Sequence, residues 1–191
     1  MDKPWSRPLW SLVADHGMYR QLVRSVNSQS EQAIEVQLCA LFTTVGYTLA
    51  VAESITGGLI GSRITDVPGS SRYFAGGIIA YGNDAKVKLL GVRQSTLEAH
   101  GAVSASTAIE MARGARDALR ADVAVSVTGV AGPGGGSARK PVGTTYIGIA
   151  TPAVERAVHY HFQGDRLAIK ADTAEAALRL VYEHILAEYR G

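Results

Sequence analysis

A chain of 191 residues is long enough to bury a sizeable core within one domain, and 47% hydrophobic against 19% charged residues is the balance of a soluble globular protein. The formal net charge of +2 arises from 19 basic and 17 acidic residues spread along the chain, without the basic block of a nucleic-acid footprint. No apolar run is long enough to span a membrane and no signal-peptide core opens the chain, so a cytoplasmic protein without nucleic-acid or membrane partners is expected. The single cysteine, Cys39, excludes an intramolecular disulfide framework and fits a reducing compartment.

Residues 1–30 carry both tryptophans, Trp5 and Trp10, with Pro4 and Pro8 interrupting regular structure until about Leu9. Leu9, Leu12, Val13, Leu22, Val23 and Val26 suggest a short helix or two, so this segment reads as a helical extension whose tryptophans pack on its own domain or, as the second choice, on another subunit. The domain itself is expected over 31–191. Ile34, Leu38, Leu41, Phe42 and Val45 recur at helical spacing and Gly46 ends that helix, with Cys39 an inert thiol beside the apolar stripe.

A strand over Tyr47–Ala52 then runs into Glu53-Ser54-Ile55-Thr56-Gly57-Gly58, and a helix follows from Leu59. A hydroxyl where a strand hands over to a helix is either an ordinary N-cap or a nucleophile, since open α/β sheets place their chemistry there. The two glycines permit close approach to a ligand, and the first amides of the helix are donors suited to phosphate or to an oxyanion. Gly76–Tyr81 is an almost continuous apolar run, expected as an interior strand that delivers Tyr81 to its end. Asn83 or Asp84 should cap the next helix, leaving Lys86 in its first turn, and Leu89–Gly101 should close that helix and turn. A cation there opposes the helix dipole, which favours the neutral amine of a base; the alternative is a solvated surface lysine, a role that suits Lys88 better.

Ser104–Arg120 is expected as a helix that buries Ala108, Met111, Ala112, Ala115 and Leu119, and Asp122–Thr128 as a strand. The glycine-rich loop from Gly129 to Gly136 is a phosphate cradle, a source of oxyanion donors or a flexible connector. Neither the Walker nor the dinucleotide fingerprint fits it, because the element that follows reads as a strand and not a helix. Thr144–Ala150 and Arg156–Phe162 form a hairpin, with His159 and His161 on one face as a solvent-facing pair and not a metal site, and an amphipathic helix closes the chain from about Leu167 to Tyr189. Just before it, Arg166 reaches an anion or makes a surface ion pair. The order implies a three-layer α/β/α sandwich around a mixed, mostly parallel sheet, with Ser54, Tyr81 and Thr128 on one rim if their strands are parallel neighbours.

Five stretches carry a resemblance. Ala52-Glu53-Ser54-x-Thr56-Gly57-Gly58, Pro68-Gly69-Ser70-Ser71, Tyr81-x-Asn83-x-x-Lys86, Gly101-Ala102-Val103-Ser104, and Val127 to Gly135 running on through Lys140-Pro141-Val142-Gly143-Thr144 resemble, in order, the CinA C-terminal domain family. Its enzymatic members are nicotinamide-nucleotide amidohydrolases, so the resemblance implies hydrolysis of the carboxamide of nicotinamide mononucleotide to nicotinate mononucleotide and ammonia, in pyridine-nucleotide salvage. It implies Ser54 as catalytic serine, Lys86 as its base and Tyr81 as the nearby tyrosine, without metal or organic cofactor. A substrate site is expected from Thr56, Gly57, Gly58, Asn83, Thr128, Gly129, Ala131, Gly132, Arg139 and Lys140. The 5′-phosphate then takes the helix N-terminus or Arg139 and Lys140, and Ser54 either attacks the amide or orients a water. Position 55 is Ile where the family often has Cys, which reads as packing. The larger members carry a further N-terminal domain that 1–30 cannot be, so a stand-alone form and a homodimer are expected. The competing readings are a nucleotide sensor without turnover and an amidase for another small amide.

Overall fold

The computed structural model describes residues 32–190, so the extension with Trp5 and Trp10 lies outside the described residues. The order is α1 (Ile34–Val45), β1 (Leu49–Glu53), α2 (Leu59–Thr65), a short 3-10 turn (Ser70–Arg72), β2 (Phe74–Ile79), α3 (Asn83–Leu90), α4 (Gln94–His100), α5 (Ala105–Leu119), β3 (Val123–Gly129), β4 (Thr144–Ala150), β5 (Glu155–His161) and α6 (Arg166–Arg190). The strands form one sheet in the order β2-β1-β3-β4-β5. The β1–β2 and β1–β3 pairings are parallel and the β3–β4 and β4–β5 pairings antiparallel, so four of the five strands run one way. This is the expected mixed α/β/α sandwich.

Alternation along the strands decides which helices cover which face. Leu49, Val51, Val123, Val125, Val127, Ile147 and Ile149 point into the core shared with α1, α2 and α6, where Leu38, Phe42, Ile60, Leu178 and Val181 meet them. Ala50, Ala52 and Ala124 point the other way, towards Leu90, Leu97, Met111 and Ala115 of α3, α4 and α5 and Val92 of the α3–α4 link. Small side chains on that face let α5 lie close to the sheet, close enough for Ser126 Oγ to donate to the Ala108 carbonyl at 2.5 Å. A Cβ on Gly148 would collide with the same carbonyl and with Ser126 Oγ.

Three local expectations are corrected. The run Gly76–Tyr81 belongs to an edge strand with alternating exposure, because Gly76 and Gly77 contribute no apolar bulk and Ile79 faces solvent. The stretch after Leu89 contains a separate helix, α4, whose buried residues are only Thr96 and Leu97. Helix α3 starts from an extended Gly82 without a side-chain cap, so neither Asn83 nor Asp84 caps it, whereas Ser104 caps α5 by accepting from Thr107 N at 3.2 Å.

The start of α2 is held by a residue inside the sheet. Glu53, the last residue of β1, is 1% exposed. Its carboxylate accepts from Thr56 Oγ1 (2.6 Å), Gly58 N (2.9 Å), Ile60 N (3.1 Å) and Gly61 N (2.8 Å). The orphan amides of a helix's first turn are thereby satisfied by a buried anion that also complements the dipole.

Removing that carboxylate leaves several donors buried and unmet. We expect Glu53→Ala to cost about 3 kcal/mol in urea unfolding and Glu53→Gln distinctly less, since the amide oxygen keeps part of the set. We expect Gly148→Ala to cost about 1–3 kcal/mol by pushing α5 off the sheet. Gly134→Ala, where a Cβ meets nothing within 4 Å, should change stability by less than about 0.5 kcal/mol.

Candidate active site

Because β1 has β2 on one side and β3 on the other, the chain reverses its direction of winding at β1, and a crevice opens at the carboxyl ends of these three parallel strands. Backbone pairing continues just past the strand ends: Ser54 N donates to Val127 O at 3.1 Å and Ala80 N to Glu53 O at 2.8 Å. Ser54 is thus fixed on both sides of its turn and lies 8% exposed at the floor of an open pocket of about 170 Å³.

Lys86 enters this pocket from the first turn of α3 and is 1% exposed. Its Nζ donates to Ser54 Oγ at 3.0 Å, to Ala80 O at 2.8 Å and to Tyr81 O at 3.1 Å. Burial pushes its pKa below the ordinary lysine range. The three acceptors explain how either protonation state is accommodated. An ammonium satisfies all three. A neutral amine keeps two N–H groups for the two carbonyls and turns its lone pair to the Ser54 hydroxyl. The arrangement can therefore accept a proton from Ser54 without any side chain moving.

The rim is completed by residues far apart in sequence. Tyr81, Asn83, Thr128, Gly129 and Ala131 line the pocket, with Ile55, Ala102 and Val103 beside them. Thr128 Oγ1 donates to Ala102 O at 2.7 Å, which ties β3 to the segment ahead of α5. The remaining lining residue is Arg166, the first residue of α6, which makes no surface ion pair among the described residues. It donates to Gly132 O at 2.7 Å and to Tyr81 Oη at 3.1 Å, so it bridges the glycine loop and the tyrosine.

Other expected site residues are placed elsewhere. The Thr56 hydroxyl and the Gly58 amide are committed to Glu53, and neither they nor Gly57 line the pocket. The start of α2 is already occupied by a carboxylate, which argues against it as a phosphate site. Arg139 lies in the exposed stretch of the loop, and Lys140 Nζ donates to His100 O at 2.7 Å, anchoring the loop outside the pocket. Glu53 had no role assigned from the sequence. The signal available was an acid five residues before the Gly58 that precedes a helix. Among the described residues no group of three or more His, Cys, Asp or Glu is placed to hold a metal, and no helix is long and apolar enough to cross a membrane. Exposed His159 packs its ring on Tyr146, centroids 4.8 Å apart.

Residues 31–185 match the family model of the CinA C-terminal domain. A CinA-like protein of Chlorobaculum tepidum is 51% identical over 161 residues, which cover 82% of this chain and 38% of that protein. A CinA-like protein of Geobacter metallireducens is 50% identical over 155 residues, with 81% and 38% covered. The chain therefore spans about two fifths of the length of these relatives. Among solved structures, the competence/damage inducible protein CihA of Agrobacterium tumefaciens superposes with a TM-score of 0.77 at 39% identity, covering 78% of this chain and 92% of that one. A CinA superfamily protein of Escherichia coli superposes at 0.75 and 32%, with 81% and 92% covered. Family model, sequence identity and fold agree, and the chain belongs to the CinA C-terminal domain family.

Proposed function

We propose that this protein hydrolyses the carboxamide of nicotinamide mononucleotide, giving nicotinate mononucleotide and ammonia. The observation that carries the reading is the desolvated Lys86 bonded to Ser54 at the floor of the rim pocket. A serine hydroxyl is a weak nucleophile at neutral pH and needs a base within hydrogen-bond reach, and a lysine with a lowered pKa is such a base. The pocket is open at the rim, so the ring and amide reach Ser54 from that side and the ribose phosphate lies over the rim. Arg166, beside Tyr81, is the cation in position there.

In the proposed reaction neutral Lys86 takes the Ser54 proton as Oγ bonds to the amide carbon. The oxyanion is held by amides of the Gly129–Gly132 segment other than that of Val130, because the Gly58 amide is committed to Glu53 and the Val130 amide to Thr144 O. Collapse breaks the C–N bond, and Lys86 returns its proton to the leaving nitrogen, so ammonia departs and an ester to Ser54 remains. Tyr81, its hydroxyl oriented by Arg166, positions the leaving group. Water then attacks the ester, gives its proton to Lys86 and releases the acid as Oγ is reprotonated.

Ammonia release from nicotinamide mononucleotide by the purified protein is the direct test. Ser54→Ala should lose roughly 10³-fold or more in kcat/KM, and Lys86→Met on the order of 10²–10⁴-fold, in variants shown to be folded by circular dichroism. An inert wild type that still binds the nucleotide would replace the enzyme reading with that of a sensor. The pH profile is a separate check. Because the base works only without its proton, kcat/KM should rise with pH, along a limb lying below the ordinary lysine value of about 10.4. A flat profile from pH 6 to 10 would remove Lys86 from the role of base.

A further inference from the structure

The pocket holding Ser54 and Lys86 is lined by two basic side chains, Lys86 and Arg166, and, among the described residues, by no acidic one. From the β1–α2 turn it is faced by Ser54, from the segment between β2 and α3 by the phenol of Tyr81, and from β3 by Thr128. The segment ahead of α5 adds only Ala102 and Val103. Glu53, next to Ser54 in sequence, spends its carboxylate on α2, and Asp84 on α3 is exposed and does not line the pocket. Both basic groups are held by neutral partners: Lys86 by a hydroxyl and two carbonyls, Arg166 by a carbonyl and a phenol.

A neutral carboxamide and an anionic carboxylate are different ligands for such a pocket. Hydrolysis would generate the carboxylate on the carbon that was bonded to Ser54 Oγ, and that oxygen is 3.0 Å from Lys86 Nζ. We propose that the pocket is a carboxylate-binding site in its own right, which holds nicotinate mononucleotide more tightly than nicotinamide mononucleotide and takes up a proton on Lys86 as the acid binds. The identity of the ligand rests on the deamidase reading above; the preference for an anion rests on the pocket's own charges.

The linkage has a definite sign. In the empty pocket burial favours the neutral amine, and an adjacent carboxylate favours the ammonium, so the acid raises the Lys86 pKa and draws in a proton. Its affinity must then fall as pH rises through the window between the free and the bound pKa. The acid is consequently an inhibitor that is strongest at the lower pH, and turnover slows as product accumulates.

The test is isothermal titration calorimetry of both nucleotides from pH 7 to 10, in pairs of buffers that differ in ionisation enthalpy so that protons are counted. Ser54→Ala is used for both ligands so that the amide is not turned over, and the wild type is repeated with the acid. The nucleotide phosphate is common to both ligands and cancels in their ratio. The acid is expected to bind on the order of tenfold tighter at pH 7, as a charge-assisted hydrogen bond implies, with the advantage shrinking as pH rises. Proton uptake should pass through a maximum within this range and vanish in Lys86→Met. Acid bound no more tightly than amide, or no proton uptake at any pH in the wild type, overturns the inference. Ammonia release separates the two readings. Release without acid preference removes this inference alone, and acid preference without release removes the deamidase alone.

Discussion

The carboxylate of Glu53, sealed at the start of α2, is the interaction on which the geometry of the site depends. A helix of seven residues is too short to persist on its own and begins with amides that have no partner within it. Glu53 supplies the partner from inside the sheet, and its backbone carbonyl at the same time accepts from Ala80 N. One residue thus ties β1, the β1–α2 turn, α2 and the end of β2 together. Ser54 sits inside that knot, which fixes its backbone beside Lys86. The same arrangement has a chemical consequence: a helix end already neutralised by a buried anion repels a second one, so an anionic substrate must be met by the rim and not by α2.

Burying a lysine is costly unless its ammonium is hydrogen-bonded or its proton is lost, and the surroundings of Lys86 permit both. The carbonyls of Ala80 and Tyr81 lie just beyond the last residue of β2 and need donors there, and Lys86 provides them. A carboxylate in their place would pair more strongly, but it would raise the lysine pKa and remove the base. Neutral acceptors stabilise the position of the amine without fixing its charge. That no carboxylate among the described residues lines the pocket is therefore part of the chemistry.

Much of this was legible in the sequence. The periodicity of Ile34 to Val45 and of Ala108 to Ala115, together with the continuous apolar runs of the strands, is enough to place α1, α5, β1 and β3, since the helices bury residues at helical spacing and the two interior strands are buried along almost their whole length. The convergence of Ser54, Tyr81 and Thr128 follows once those strands are parallel neighbours. Less legible were features that depend on partners distant along the chain. Tyr81 and Arg166 meet across 85 positions, and no local pattern distinguishes that arginine from one on the surface. Helix α4 leaves little trace in the sequence because a short helix with two buried residues has hardly any apolar stripe, and β2 resembles an interior strand because its glycines look apolar while burying nothing.

The glycine-rich loop shows how composition alone misleads about mobility. Its ends are pinned by Val130 N on Thr144 O and by Gly143 N on Val130 O, its near side by Arg166 on Gly132 O, and its far side by Lys140 on His100 O. The glycine that matters most for the pocket is Gly129, where a Cβ would lie 2.7 Å from Thr145 Oγ1 and 2.8 Å from Ile55 Cδ1. Ile55 is 4% exposed and belongs to the main core, so the residue after Ser54 is a packing element that presses on Gly129. A bulkier residue at either position would have to displace β3 or the Ser54 turn. The reacting groups are therefore held by the core, through Ile55 and Gly129, as firmly as by their own hydrogen bonds.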